Sequence, residues 1–159
     1  MPENTVKIND AFTMAVPEGF QRMSPEELKK LYRGENPDQW GIWDKDRHVM
    51  ITVLWKHYPA LLSALADLKA VARRNQQLTE KGYAGHGYRP EGFFSMKTGD
   101  VQLEGYHFSY RVGSISQCAE TVLMKHRRTI YSITCAGREE NADADSSTFR
   151  KALESLRIG

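Results

Sequence analysis

The stretch VQLEGYHFSYRVGSISQCAETVLMKHRRTIYSITCAG, residues 101–137, decides the fold. It contains three strand-like runs, which are separated by a Gly113-Ser114 turn and by a basic turn at residues 125–128. A fourth run, YAGHGYRPEGFFSMKT, precedes them across a Gly99-Asp100 turn. Strands joined by such short turns pair as antiparallel hairpins, so we predict consecutive strands of one antiparallel sheet.

The segments before this stretch supply more strands and a helix. TVKIND and AFTMAV indicate two short strands around an Asn9-Asp10 turn. MSPEELKKLY predicts a helix, because Ser24 and Glu27 have the spacing of a capping box. QWGIWDKDRHVMITVLWKHY, residues 39–58, indicates a hairpin whose second strand is apolar on both faces and therefore central.

Two further helices follow from the spacing of apolar residues. Four of them recur at i, i+4, i+7 and i+11: Leu61, Leu65, Leu68 and Ala72. This pattern predicts an amphipathic helix that ends before Gly82. DADSSTFRKALESLRI, residues 143–158, predicts a capped C-terminal helix with Phe149, Leu153 and Leu156 on one side. The order ββ-α-ββ-α-ββββ-α predicts one α+β domain over residues 1–159, with an antiparallel sheet flanked by helices.

The composition is that of an ordinary globular domain. The 159 residues are 40% hydrophobic and 26% charged, which argues against disorder. Because 22 Lys and Arg are set against 20 Asp and Glu, the net charge is +2, and this balance argues against a dedicated nucleic-acid binder. No apolar run has the length of a membrane span. MPENTVKIND lacks the zones of a signal peptide, so we expect a cytoplasmic protein, or an exported one if a leader was removed.

Four local signatures, in this order of elements, resemble the PsbP-like α/β/α fold family. They are FTMAVPEGFQRMS, VMITVLW leading into a long helix, RTIYSIT, and FRKALESLRI at the end. The resemblance implies a three-layer α/β/α sandwich. The family includes a photosystem II extrinsic subunit, a Ran-binding import factor, export-linked chaperones and bacterial domains of unknown function. The resemblance therefore implies binding of a partner protein without catalysis, although fold does not imply function.

The relative positions of the two cysteines depend on the register of the last hairpin. Cys118 and Cys135 have neither CxxC spacing nor the number needed for a disulfide framework. If the basic turn is His126-Arg127, or the four residues 125–128, Leu123 faces Ile130 and Val122 faces Tyr131. That register places Cys118 opposite Cys135, and a three-residue loop would break it. We predict two free thiols on neighbouring strands in a reducing compartment.

The basic turn Lys125-His126-Arg127-Arg128 has two interpretations. One is a phosphate or nucleic-acid site, which needs cations along a groove with interleaved aromatic rings. The other is the solvated tip of a hairpin, where charges keep the strand ends from pairing with another chain. Runs of charge are usually solvated, so the second interpretation is favoured.

Metal and enzyme sites have weak support in the sequence. The five histidines are scattered without ligand spacing: His48, His57, His86, His107 and His126. His86 and His107 meet only if their strands are neighbours. The acids form no recognisable pair: Asp44, Asp46, Glu91, Glu104 and Glu120. Of these, Glu104 and Glu120 lie within strand-like runs, and we expect them to be half-buried. We expect no catalytic residue, no metal and no cofactor.

The aromatic residues supply the candidate partner surface. Most must be core, but Trp40 and Trp43 cannot point to the same face of one strand. Exposed aromatics beside arginine are typical of protein-binding patches. The candidate patch is Trp40, Trp43, Tyr88, Phe94, Arg127 and Arg128.

The function predicted from these observations is a non-catalytic protein-binding module, adaptor or chaperone. The alternative is a small-ligand or metal-binding domain, with an enzyme of unknown reaction as a third class. A binding module predicts an exposed aromatic patch, a ligand domain predicts a closed apolar pocket, and an enzyme predicts acids and histidines within hydrogen-bond reach. We expect an unidentified protein partner, no nucleic acid, no membrane span, and a monomer or homodimer.

Overall fold

A computed structural model describes residues 4–31, 38–58 and 67–159. Its strands are β1 (Thr5–Ile8), β2 (Phe12–Ala15), β3 (Gln21–Arg22), β4 (Gln39–Asp44), β5 (Val49–His57), β6 (Arg89–Thr98), β7 (Val101–Val112), β8 (Ile115–His126), β9 (Thr129–Arg138) and β10 (Arg157–Ile158). Its helices are α1 (Pro25–Leu31), α2 (Leu68–Gly82) and α3 (Ala142–Glu154), and a 3-10 turn at Glu139–Asn141 precedes α3. Within these ranges, no helix is long and apolar enough to span a membrane.

The strands form two antiparallel sheets. The larger has the order β3-β4-β5-β9-β8-β7-β6, and the smaller has the order β1-β2-β10. β5 lies between β4 and β9, and Val49, Ile51 and Val53 on one of its faces are buried. The predicted α+β class, the antiparallel sheet and the central position of this strand are confirmed.

One face of the large sheet packs against α3 and the small sheet through apolar side chains. Phe149, Leu153 and Leu156 are fully buried, in agreement with the predicted apolar side of this helix. Val122 and Ile133 project toward them from β8 and β9. Burial of this continuous apolar layer is the main stabilisation of the fold.

The other face packs against α2, with a larger share of polar contacts. Ala72 is buried, while Asn75 Nδ2 donates to the Tyr106 hydroxyl at 2.7 Å and Gln76 Nε2 donates to the Tyr88 hydroxyl at 3.0 Å. Thr79 Oγ1 lies 2.8 Å from the same Tyr106 hydroxyl. The two helices on opposite faces make the predicted three-layer α/β/α sandwich.

Local turn and cap predictions are confirmed. Asn9 and Asp10 have φ values of 53° and 52°, as a tight two-residue turn requires. Glu27 N–H donates to Ser24 Oγ at 3.2 Å, and Ser24 N–H donates to Glu27 Oε1 at 2.8 Å, which is the capping box.

Several predicted boundaries were wrong or cannot be compared. The predicted helix start at Leu61 and Leu65 lies outside the described residues, and α2 includes Gly82. β6 begins at Arg89, because glycines with positive φ at positions 85 and 87 keep the preceding residues in turns. The last predicted helix ends at Glu154, and Arg157–Ile158 pair instead with β2.

The predicted register of the β8–β9 hairpin was wrong. The turn residues are Arg127-Arg128, so Leu123 faces Ser132, Val122 faces Ile133 and Cys118 faces Gly137. β9 is displaced by two residues along β8 relative to the prediction. A displacement of two residues returns every side chain to the same face, so apolar alternation cannot detect it.

Candidate functional site

The large sheet has two unequal edge strands. β3 is two residues long, whereas β6 is ten residues long and has no strand on its outer side in the described part of the chain. The first half of β6 is unsuited to pairing, because Pro90 has no N–H and the register against β7 shifts between Pro90 and Phe93. From Phe93 to Thr98 the strand is regular, and its outer edge can accept an extended chain.

Phe93 is the exposed aromatic side chain on this edge. It is 53% exposed and lies on the α2 side of β6, with its ring 6.2 Å from that of Tyr106. A groove of about 240 Å³, here called the β6 groove, runs between β6 and α2. Its lining residues are Lys69, Ala72, Arg73, Phe93, Phe94, Ser95, Glu104 and Gly105. It therefore combines an exposed ring, an open strand edge and two exposed cations, Lys69 and Arg73.

The floor of the β6 groove contains a buried acid whose oxygens are occupied. Glu104 is 5% exposed, which makes it more buried than the half-burial predicted from sequence. Its Oε1 accepts from Ser95 Oγ at 2.5 Å, and its Oε2 accepts from Gln102 Nε2 at 2.7 Å. These local donors satisfy the carboxylate, so we assign it a structural role.

Phe94 points to the opposite face of β6, toward α3. Its ring lies 4.5 Å from that of His107, and the Arg150 guanidinium lies 4.4 Å above it. Gly105 makes this packing possible, because a Cβ at that position would lie 2.5 Å from the Phe94 ring. The neighbouring phenylalanines thus have different roles: Phe94 is packed and Phe93 is exposed.

Glu120 is the centre of the polar cluster on the α3 side. It is 5% exposed, and it accepts from Ser146 Oγ at 3.0 Å, from Arg150 Nη2 at 3.4 Å and from His107 Nδ1 at 3.2 Å. Burial alone raises the pKa of Glu120, but the hydrogen bonds from His107 and Ser146 and the charge of Arg150 outweigh it. The net effect lowers the pKa below its usual range, so the group is a carboxylate at neutral pH.

This cluster borders a cleft of about 350 Å³ with little sign of catalytic chemistry. Acid and histidine do meet at 3.2 Å, but Ser146 donates to the Glu120 carboxylate rather than to the imidazole. A serine nucleophile needs the reverse arrangement, in which the imidazole accepts its proton. Burial raises the pKa of the Cys118 and Cys135 thiols, which makes them poor nucleophiles.

The six residues of the candidate patch do not gather at one place. Trp40 is 3% exposed and belongs to the core. Trp43 lies on the other face of β4, half-buried under the Lys45 ammonium, which is 4.8 Å from its ring. Tyr88 is half-buried and stacks with Phe108. Phe94 lies on the α3 side of β6, and Arg127 and Arg128 form the tip of the β8–β9 hairpin.

The two histidines that were predicted to meet only on neighbouring strands, His86 and His107, also lie apart. His86 lies in the turns before β6 against the Tyr83 ring, whereas His107 contacts Glu120. Across residues 4–31, 38–58 and 67–159, no three His, Cys, Asp or Glu side chains are grouped as metal ligands.

Comparison with solved structures identifies the architecture. The solution structure of cyanobacterial PsbP (CyanoP) from Synechocystis sp. PCC 6803 matches with a TM-score of 0.69 and 14% identity, over 96% of this chain and 89% of that chain. The chain has the PsbP-like fold. The resemblance stated from sequence is thereby confirmed at the level of fold.

Two other structures share this PsbP-like fold. One is a Pseudomonas aeruginosa protein of unknown function, described as a putative regulator, with a TM-score of 0.57 and 8% identity over 99% of this chain and 97% of that one. The other is LpqN of Mycobacterium tuberculosis, involved in cell envelope biogenesis, with a TM-score of 0.53 and 10% identity over 99% and 86%. No protein-family model and no curated protein matches the sequence. Proteins with PsbP-like folds thus have several unrelated descriptions.

Proposed function

We propose that the protein is a non-catalytic binding module that captures an extended segment of a partner protein along β6. The observation that carries the proposal is Phe93, a 53% exposed ring on the regular half of β6, which has no strand on its outer side among the described residues. Main-chain hydrogen bonds to such an edge supply affinity, and side-chain pockets at alternate positions supply specificity.

The charges around the β6 groove specify the class of partner segment. Lys69 and Arg73 lie on the α2 side of the groove, and exposed Lys97 follows Phe93 at an alternate position on the same face of β6. Ser95 and Gln102 hold the oxygens of Glu104, whose single negative charge is outnumbered by these three cations. The fitting segment is therefore extended, with an apolar side chain against Phe93 and acidic side chains toward the cations.

A peptide selection tests the proposal. A displayed library of random peptides is selected on the immobilised protein, and the consensus peptide is titrated by fluorescence anisotropy. We expect alternating apolar and acidic residues, and at least about tenfold weaker binding by Phe93→Ala, because truncating an aromatic anchor costs about 2 kcal/mol or more. Charge reversal by Lys69→Glu with Arg73→Glu is expected to weaken binding to a similar extent.

Leu78→Ala is the matched control. Leu78 is 57% exposed on α2 and lies outside the β6 groove, so its truncation is expected to change affinity by less than about twofold. Failure to enrich any sequence, or equal binding by Phe93→Ala and the unmodified protein, contradicts the proposal.

A second copy of this chain is the competing occupant of the same edge. Two β6 strands related by a two-fold axis could pair with each other. Light scattering decides between these occupants: a monomer at micromolar concentration supports a partner segment, and a dimer that Phe93→Asp dissociates supports self-association.

A cytoplasmic location is part of the proposal, and the two free cysteines support it. Thiol titration of the unfolded protein without reductant is expected to find two reactive groups per chain. A result of none indicates a disulfide and an oxidising compartment.

A further inference from the structure

The fold extends the basic hairpin tip into a larger charged surface. β5 ends at Lys56-His57, about seventy residues earlier in the chain, and it pairs with the start of β9. Lys56 on β5 and Lys125 on β8 lie on either side of Ile130 on β9. In the same way, His57 and His126 lie on either side of Thr129. We call the resulting surface the basic end; it consists of Lys56, His57, Lys125, His126, Arg127 and Arg128.

The charge of the chain is concentrated there. The protein has 22 Lys and Arg and 20 Asp and Glu, and four of the cations belong to the basic end. The rest of the chain has 18 Lys and Arg and 20 Asp and Glu, so its net charge is −2, whereas the net charge of the whole chain is +2. Arg127 and Arg128 are exposed, and neither forms an ion pair with a carboxylate of the described residues.

The backbone at Arg127 is an independent indication that the side chain matters. Its φ of 57° is in the left-handed region, where Gly, Asn and Asp are favoured in two-residue hairpin turns. An arginine there costs stability relative to glycine. Strained backbone positions of this kind cluster at ligand-binding sites.

We propose that the basic end docks the protein peripherally on an anionic phospholipid surface. The end is convex, because it is the tip of a hairpin and the adjacent strand end. The aromatic ring of Tyr58, which contacts this end, is half-buried with the Lys56 ammonium 5.6 Å from its centre. A single nucleic-acid strand needs a groove with exposed rings for stacking, whereas several cations on a convex end suit a planar layer of negative charge.

Vesicle co-sedimentation tests the proposal with the full chain. The probes are vesicles of phosphatidylcholine alone and of phosphatidylcholine with phosphatidylglycerol. We expect binding to the anionic vesicles only, and a loss of about tenfold or more when salt is raised, because the attraction is electrostatic. Arg127→Glu with Arg128→Glu is expected to weaken binding by at least about tenfold, since each basic side chain near such a surface contributes about a few-fold to tenfold.

The control reverses the same amount of charge at the opposite end of the sheet. Arg89→Glu with Arg111→Glu replaces two exposed arginines at the start of β6 and the end of β7. Circular dichroism melting verifies that both double variants are folded. Retained binding by this control supports the proposal. Equal loss in both double variants, equal binding to neutral vesicles, or tighter binding to a DNA duplex than to anionic vesicles overturns it.

Discussion

Replacing Glu120 by glutamine removes a buried charge while keeping the shape of the side chain. The carboxylate joins β7, β8 and α3, because His107, Ser146 and Arg150 all donate to it. Ser146 can still donate to the amide oxygen of the variant. The His107 and Arg150 side chains are 38% and 33% exposed, so they regain contact with water in part. We therefore expect a loss of about 1.5–3 kcal/mol at neutral pH, the usual range for hydrogen bonds to a charged group.

The pH dependence identifies the charge as the cause of this loss. The pKa of Glu120 is lowered in the folded protein, so its stabilisation is complete above the unfolded value of about 4.3. The stabilisation disappears as the pH falls through the folded pKa. Urea unfolding of both proteins at neutral pH and at about pH 3 measures the difference.

Glu140→Gln is the control for this experiment. Glu140 is 71% exposed, and its only ion pair among the described residues is with Arg138 at 3.9 Å, so we expect a change below about 0.5 kcal/mol. The reasoning is refuted if Glu120→Gln costs no more than this control. A loss that stays constant below the usual glutamate pKa refutes the electrostatic explanation.

Three further substitutions, with Leu78→Ala as a control, test the packing and the strained turn by urea unfolding. Gly105→Ala should cost about 1–3 kcal/mol, because the new Cβ would clash with the Phe94 ring and with the Thr121 carbonyl oxygen; no loss would contradict this close packing. Leu153→Ala should cost about 2–5 kcal/mol from the fully buried side of α3, whereas exposed Leu78→Ala should change stability by less than about 0.5 kcal/mol; equal effects would contradict the core assignment. Arg127→Gly should add about 0.5–1 kcal/mol by relieving the positive φ, and a loss of stability would contradict that strain.

Local sequence signals predicted most of the fold. Apolar alternation and short turns indicate strands directly, and the Ser24–Glu27 capping box identifies the start of α1. The two-residue strands β3 and β10 were missed, because Gln21–Arg22 and Arg157–Ile158 are too short for any periodicity. They exist only because β4 and β2 offer free edges.

The candidate site was less accessible to sequence reasoning. Phe93 and Phe94 are adjacent residues of the same type, so residue type does not show which ring is exposed. The irregular pairing between Pro90 and Phe93 determines it. The Glu91-Gly92 pair after this proline is the signal that was available, since an isolated glycine in a strand often marks a bulge. The basic end could not be predicted from local sequence, because strand pairing brings Lys56 and His57 next to a turn that lies far from them along the chain.

Hydrogen–deuterium exchange with the selected peptide tests the central claim most directly. If the peptide adds as a strand to β6, amides within Phe93–Thr98 gain protection on binding, while those of the opposite edge strand, Gln21–Arg22, are unchanged. Phe93→Ala should abolish this protection at a peptide concentration that saturates the unmodified protein. Protection confined to the turn at residues 125–128 or to α3, with none along β6, contradicts the account.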